Sequence, residues 1–97
     1  MDKSKGVLLM AFGNPEYIFM AAQMALSIKV NSPELPIQLV HDDNVNYLPT
    51  DYRNLFDWYT KLDMADVYRN ATFEPGYAKL KAYQYSKFDQ TIFLDVA

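Results

Sequence analysis

Three places in this chain combine residue types and spacings able to handle a polar or anionic ligand. The first is Gly13-Asn14-Pro15-Glu16-Tyr17, directly after the apolar run Gly6–Phe12. A small-residue turn that opens a helix presents backbone N–H groups, which favour an anionic or polar group. Tyr17, one turn into that helix, could stack on a flat base. The same residues also suit an ordinary strand-to-helix turn with a capping Asn and a Tyr at the edge of the core. The second place is Lys79, at the start of a helical stretch in which positions 79, 80, 83 and 87 lie near one face. A cation in the first helical turn opposes the helix dipole, and a phosphate would resolve that mismatch. A solvated Lys with its stem laid over apolar surface is the alternative. The third is Asp95, carried out of the apolar run Thr91-Ile92-Phe93-Leu94. It reads either as ligand-facing at a strand end or as the start of a turn.

Other constellations are weaker. His41-Asp42-Asp43 has metal-ligand residue types but falls in a segment rich in Asn and Asp, so it reads as a solvated turn. His41 is the only histidine, and no Gly-x-Ser-x-Gly nucleophile elbow or Gly-x-Gly-x-x-Gly fingerprint is present. A lone carboxylate such as Asp95 holds a divalent cation poorly, because hard cations want several oxygen ligands.

The elements that must position these residues follow from periodicity. Gly6–Phe12 is a continuous apolar run, as expected of a strand buried on both faces of a parallel sheet. Asn14 caps a helix over Pro15–Val30, with Pro15 at its first position and Glu16 in its first turn. That helix is apolar on most sides, which predicts packing against the sheet and against something else. Asn31-Ser32-Pro33 ends it, and Pro36–His41 is a second strand, giving a strand–helix–strand unit with parallel strands. Asp42–Pro49 reads as loop. Thr50-Asp51 caps a short helix over Tyr52–Phe56, and Trp58–Leu62 is a third strand. Asp63–Pro75 shows no period and reads as loop with a helical turn; Gly76–Phe88 reads as helix and Thr91–Val96 as a strand. The order is that of an α/β protein: a Rossmann-like three-layer sandwich with a mostly parallel sheet, in one domain spanning residues 1–97.

Composition narrows the function classes. The 97 residues are 51% apolar and 15% aromatic, with eight tyrosines, enough for one packed core. A net charge of −3 with scattered bases argues against a nucleic-acid backbone as partner. The absence of cysteine excludes disulfides and thiolate metal sites. The start of the chain lacks the length and flanks of a signal peptide or membrane span, so a soluble, cytoplasmic protein is the expectation.

Taken together, these motifs resemble the N-terminal, nucleotide-sugar-binding half of a GT-A glycosyltransferase of the glycogenin-like family 8. The resemblance covers nearly the whole chain. It rests on Asn14 and Tyr17 in the turn after the first strand, on Ala25-Leu26-Ser27-Ile28 late in the long helix, and on Lys79-Leu80, Tyr83 and Tyr85-Ser86-Lys87. It rests finally on Phe93-Leu94-Asp95, with Lys79 sixteen residues before Asp95. The family resemblance implies that Ala11, Gly13, Asn14 and Tyr17 wrap the uracil of a UDP-sugar donor, with Tyr17 stacked on the base. It implies that Lys79 meets the donor's phosphate or sugar. It implies that Asp95 is the first carboxylate of an Asp-x-Asp motif, contacting ribose or a Mn²⁺ (or Mg²⁺) that bridges the diphosphate. A metal and a Lys would offset the charge that builds on the leaving diphosphate.

The chain departs from that pattern at two positions. Gly13 replaces a Thr, and Ala97 stands where the second Asp is expected. The resemblance therefore describes a donor-binding half with an incomplete metal site and no acceptor half, expected to turn over little sugar alone. The acceptor stays unassigned. The rival reading is a non-enzymatic structural or interaction protein. In it, the β-prone C-terminal strand Thr91–Val96 offers an uncovered edge to a second chain. A CheY-like binding domain is a more remote alternative, since no acidic cluster lies near the end of the first strand.

Overall fold

The computed structural model describes residues 5–42, 44–63, 68–69, 72–73 and 82–96. Its centre is a four-stranded sheet of β1 (Lys5–Ala11), β2 (Ile37–His41), β3 (Trp58–Lys61) and β6 (Gln90–Asp95), in the order β3-β2-β1-β6. Every pairing in it is parallel. The main helix is α1 (Glu16–Asn31); α2 (Thr50–Arg53) and α3 (Ala82–Tyr85) are single turns. A two-stranded antiparallel sheet, β4 (Tyr68–Arg69) with β5 (Thr72–Phe73), stands apart. The protein is thus α/β with an all-parallel main sheet.

The apolar run of β1 explains its central place. Alternate residues leave a strand on opposite faces, and both faces are buried here. Val7, Leu9 and Ala11 join Ile37 and Leu39 beneath α1, which presses Ile18, Ala21, Ala22 and Ala25 onto them. Three alanines in that contact let the helix lie close to the sheet. Leu8, Met10 and Phe12 face the other way, with Val40, Leu62, Tyr85 and Phe93. The outer side of α1 leaves Phe19, Met20, Leu26 and Val30 exposed. The second packing partner that its all-round apolar character predicts is not found among the described residues.

A fully buried polar side chain holds the second face together. Gln38, the second residue of β2, donates from Nε2 to Thr60 Oγ1 of β3 (2.9 Å) and to the Tyr85 carbonyl (2.6 Å). Its Oε1 accepts the Lys87 N–H at 2.9 Å. One amide therefore joins β2, β3 and the segment leading into β6. That segment is tightened further by Ser86, whose Oγ accepts the Phe88 N–H (3.0 Å) and lies 2.5 Å from Thr91 Oγ1. The Phe88 ring lies over Gly6, where an added methyl would overlap it, and meets Trp58 edge-on at 5.5 Å.

At the amino edge, Asp57 does similar work. Its Oδ2 accepts the Ile37 N–H and the Lys29 ammonium, both at 2.8 Å, and its own N–H donates to the Ile37 carbonyl. The end of α1 and the starts of β2 and β3 are pinned at one residue.

Several expectations shift on contact with the fold. Within the predicted loop Asp42–Pro49, Asn44–Tyr47 forms a 3₁₀ turn. The short helix begins at Thr50 rather than Tyr52, because the Pro49 carbonyl already accepts the Tyr52 and Arg53 N–H groups. The segment Asp63–Pro75 is not simply loop with a helical turn, since it contains the β4–β5 ladder, Tyr68 opposite Phe73 and Arg69 opposite Thr72. Two-residue strands are too short to register as alternation, although Tyr, Thr and Phe all favour them. Of the predicted helix Gly76–Phe88, residues 76–81 lie outside the described residues. Its far end stops at Tyr85, three residues early. Tertiary bonds from Gln38 and the Ser86 hydroxyl take the backbone groups that a further turn would use.

Replacing Gln38 by Leu leaves the Thr60 hydroxyl, the Tyr85 carbonyl and the Lys87 N–H without their partner. Each such loss costs about 1–3 kcal/mol when buried. Urea unfolding of Gln38→Leu is expected to show at least about 2 kcal/mol of lost stability despite the more apolar side chain.

Candidate functional site

In a parallel sheet all carboxyl ends share one edge. Here that edge gathers Ala11 of β1, His41 of β2, Lys61 of β3 and Asp95 of β6. The chain runs outward from β1 through β2 to β3, then returns to lay β6 on β1's other side. Between β1 and β6 the strand order reverses, and α/β proteins bind ligands in the crevice outside such a switch point. Register places Asp95 opposite Met10, so the end of β6 lies beside the turn that leaves β1.

That turn is closely specified. Gly13 adopts φ = 89°, a left-handed conformation that strains any residue with a Cβ. Its N–H donates to Asp42 Oδ2 at 2.8 Å, tying the turn to the end of β2. Asn14 Oδ1 accepts the Glu16 N–H at 2.9 Å, the expected capping bond. The Tyr17 and Ile18 N–H groups donate to the Asn14 and Pro15 carbonyls at 3.0 and 3.3 Å. The N–H groups of Gly13, Glu16, Tyr17 and Ile18, read from sequence as an anion cradle, are therefore all engaged within the chain.

The side chains divide as follows. Ala11 is buried beneath α1, while Gly13 and Asn14 are exposed. Tyr17 is half-buried and packs against the core under α1. Asp95 takes its place in the sheet through its backbone. Lys79 lies outside the described residues. The turn and the end of β6 are thus neighbours.

Sequence reasoning passed over Asp42 as part of a solvated turn, yet its carboxylate sets the conformation of the Gly13 turn. The usable signal was its position one residue past a β2 strand that must lie beside β1.

The implied metal finds little support in the donor set. Among the described residues no group of three or more His, Cys, Asp or Glu could hold a metal ion. Asp42 already spends one oxygen on Gly13, and residue 97 is Ala. One carboxylate position falls short of the several oxygens a hard cation needs. Among the described residues, no helix is long and apolar enough to cross a membrane.

No protein-family model matches the chain, and comparison with curated proteins finds no match.

A second polar cluster lies on the β3 side of the sheet. The Tyr59 hydroxyl donates to the Arg53 carbonyl, and its ring meets Phe56 and His41 edge-on, with centroids 5.8 and 6.0 Å away. Burial raises the Tyr59 pKa above its ordinary 10.0, with the Arg53 charge pulling the other way. Above pH 10 the unfolded chain therefore loses this proton before the folded one does. The folded state then holds more protons, and stability falls as pH rises from 10 through the folded pKa. Below pH 10 the contribution is complete. Tyr59→Phe is expected to lose about 1 kcal/mol at neutral pH with the hydrogen bond. It should also show a shallower decline in thermal midpoint above pH 10 than the parent.

Proposed function

We propose that this chain binds a nucleoside-diphosphate sugar, a UDP-sugar by preference, at the β1/β6 switch point. The reading makes it a glycosyltransferase-like donor-binding unit of GT-A type with little transfer activity of its own. One observation carries it. The strand order sets the Gly13-Asn14-Pro15-Glu16-Tyr17 turn beside the end of β6, where Asp95 stands opposite Met10. Those are two of the motifs through which the sequence resembles family 8, and they meet where α/β proteins hold nucleotides.

In this reading, Gly13, Asn14 and Tyr17 face the base, and Tyr17 would leave part of its core packing to stack on it; Ala11, buried beneath α1, would contribute only through its backbone at the strand end. Asp95 takes the ribose, and Lys79 the phosphate or sugar. A divalent cation would be held weakly at Asp95 alone, so no step is assigned to one.

Thermal unfolding with UDP, ADP and GDP tests the reading. A ligand that binds only the folded state raises the midpoint, by an amount set by its concentration over Kd. UDP is expected to raise it and ADP and GDP to leave it unchanged; no response to UDP defeats the proposal. Ala97→Asp should add a Mn²⁺-dependent increment to the UDP shift. Unchanged metal dependence would remove Asp95 from the position assigned to it.

The second reading, an interaction protein, draws on β6. It is an outer strand of the main sheet, and Ile92 within it is 53% exposed. Strand edges of this kind recruit other chains. Light scattering across a concentration series separates the two readings: a monomer throughout favours donor binding, and concentration-dependent mass favours edge pairing.

A further inference from the structure

We propose that α1 is the contact helix of a homodimer, packed antiparallel on α1 of a second copy of this chain. Two hollows lie on its outer face. One is lined by Glu16, Phe19, Met20 and Gln23. The other is lined by Phe19, Ala22, Gln23 and Leu26, with Tyr52 of α2 on its rim. Each set of four helix residues stands at i, i+3, i+4 and i+7. That is the outline of the hole into which a side chain of a facing helix inserts when two helices interlock. The two holes share Phe19 and Gln23, so they are consecutive on one seam.

Charge selects the occupant. A helix face left to water normally carries charged residues, yet of the positions α1 exposes only Glu16, in its first turn, is charged. Lys29 is half-buried and bound to Asp57. A partner helix with an ordinary charged face would bury those charges against Phe19, Met20 and Leu26 without counter-charges. The occupant must therefore be a helix with an uncharged, apolar face. Among the described residues that helix is α1 itself, the only one longer than a single turn.

Knobs and holes agree in spacing as well. Leu26 and Val30, 48% and 72% exposed, stand one helical turn apart on the same face. In an antiparallel pair, Val30 enters the Glu16–Gln23 hole of the other copy as Leu26 enters the Phe19–Leu26 hole. A two-fold axis repeats both insertions, so one patch meets itself and the two Leu26 side chains lie together at the axis. The helices then overlap over about 20 Å. One helix face per copy buries less than about 1,200 Å² in total, the range of weak and reversible pairs. Such a contact supplies the outer packing that the all-round apolar character of α1 calls for. It lies on the side of α1 away from the sheet and depends on neither the donor site nor the β6 edge.

The test is sedimentation velocity of the full 97-residue chain from about 1 μM to about 1 mM, a span that brackets weak pairing. The mass is expected to rise from one chain to two and to stop there. Leu26→Glu and Val30→Glu, both at exposed positions, should each weaken the dimer at least about tenfold. An equimolar mixture of Leu26→Glu and Leu26→Lys should regain it, because the two side chains meet across the axis. Ile92→Lys, which charges β6 instead, should leave it unchanged. Should Leu26→Glu fail to fold, Val30→Ser carries the same comparison. A monomer at every concentration would overturn the proposal, and so would assembly beyond two chains. Association untouched by the α1 variants, or no rescue in the mixture, would overturn it too. Loss of the dimer in Ile92→Lys alone would move the contact to the β6 edge.

Discussion

The fold depends on one buried carboxamide. Gln38 sits near the start of β2 with its side chain buried, and its amide bonds to β3, to the end of α3 and to the strand-leading segment before β6. Apolar contacts alone would let that segment slide, because dispersion and burial are not directional. Three directional hydrogen bonds from a buried side chain fix it. Their registration settles where α3 stops, and where α3 stops settles how β6 enters beside β1. The register of Asp95 against Met10 is therefore linked, through one buried amide, to the second residue of β2.

The carboxyl edge of the sheet follows a second constraint, the engagement of backbone donors. The Gly13 turn would offer several N–H groups to a ligand, but Asp42, Asn14 and the first helical carbonyls accept them. A turn tied in this way is pre-shaped. A ligand at the proposed site would be met by side chains and by the crevice between strand ends, where the order of strands reverses.

Much of this was legible in the residues. The β1 run, the α1 helix with its Asn14 cap, β2, β3 and β6 all stand within a residue or two of the periodicity that announced them. Strong local signals survive because tertiary packing agrees with them. The shorter elements did not announce themselves. The β4–β5 ladder is two residues a side, below the length at which alternation can be told from chance. The helix ending at Tyr85 looked longer because Ser86-Lys87-Phe88 has acceptable helix formers; only their partners show that their backbone groups are committed elsewhere. Gln38 gave no signal of its importance, since one polar residue in an apolar strand is equally consistent with an exposed edge.

The sequence by itself determined the alternation of strand and helix, the double-sided burial of β1 and the glycine at the turn. These rest on spacing and on the conformational limits of single residues, which act over a few neighbours. Only the tertiary structure decided the order β3-β2-β1-β6, the bond from Asp42 to Gly13, the burial of Gln38 and the grouping of Arg53 with Tyr59. Each of these joins residues distant in the chain, and which distant groups meet depends on how whole faces pack and which buried donors find acceptors. No local pattern encodes that choice.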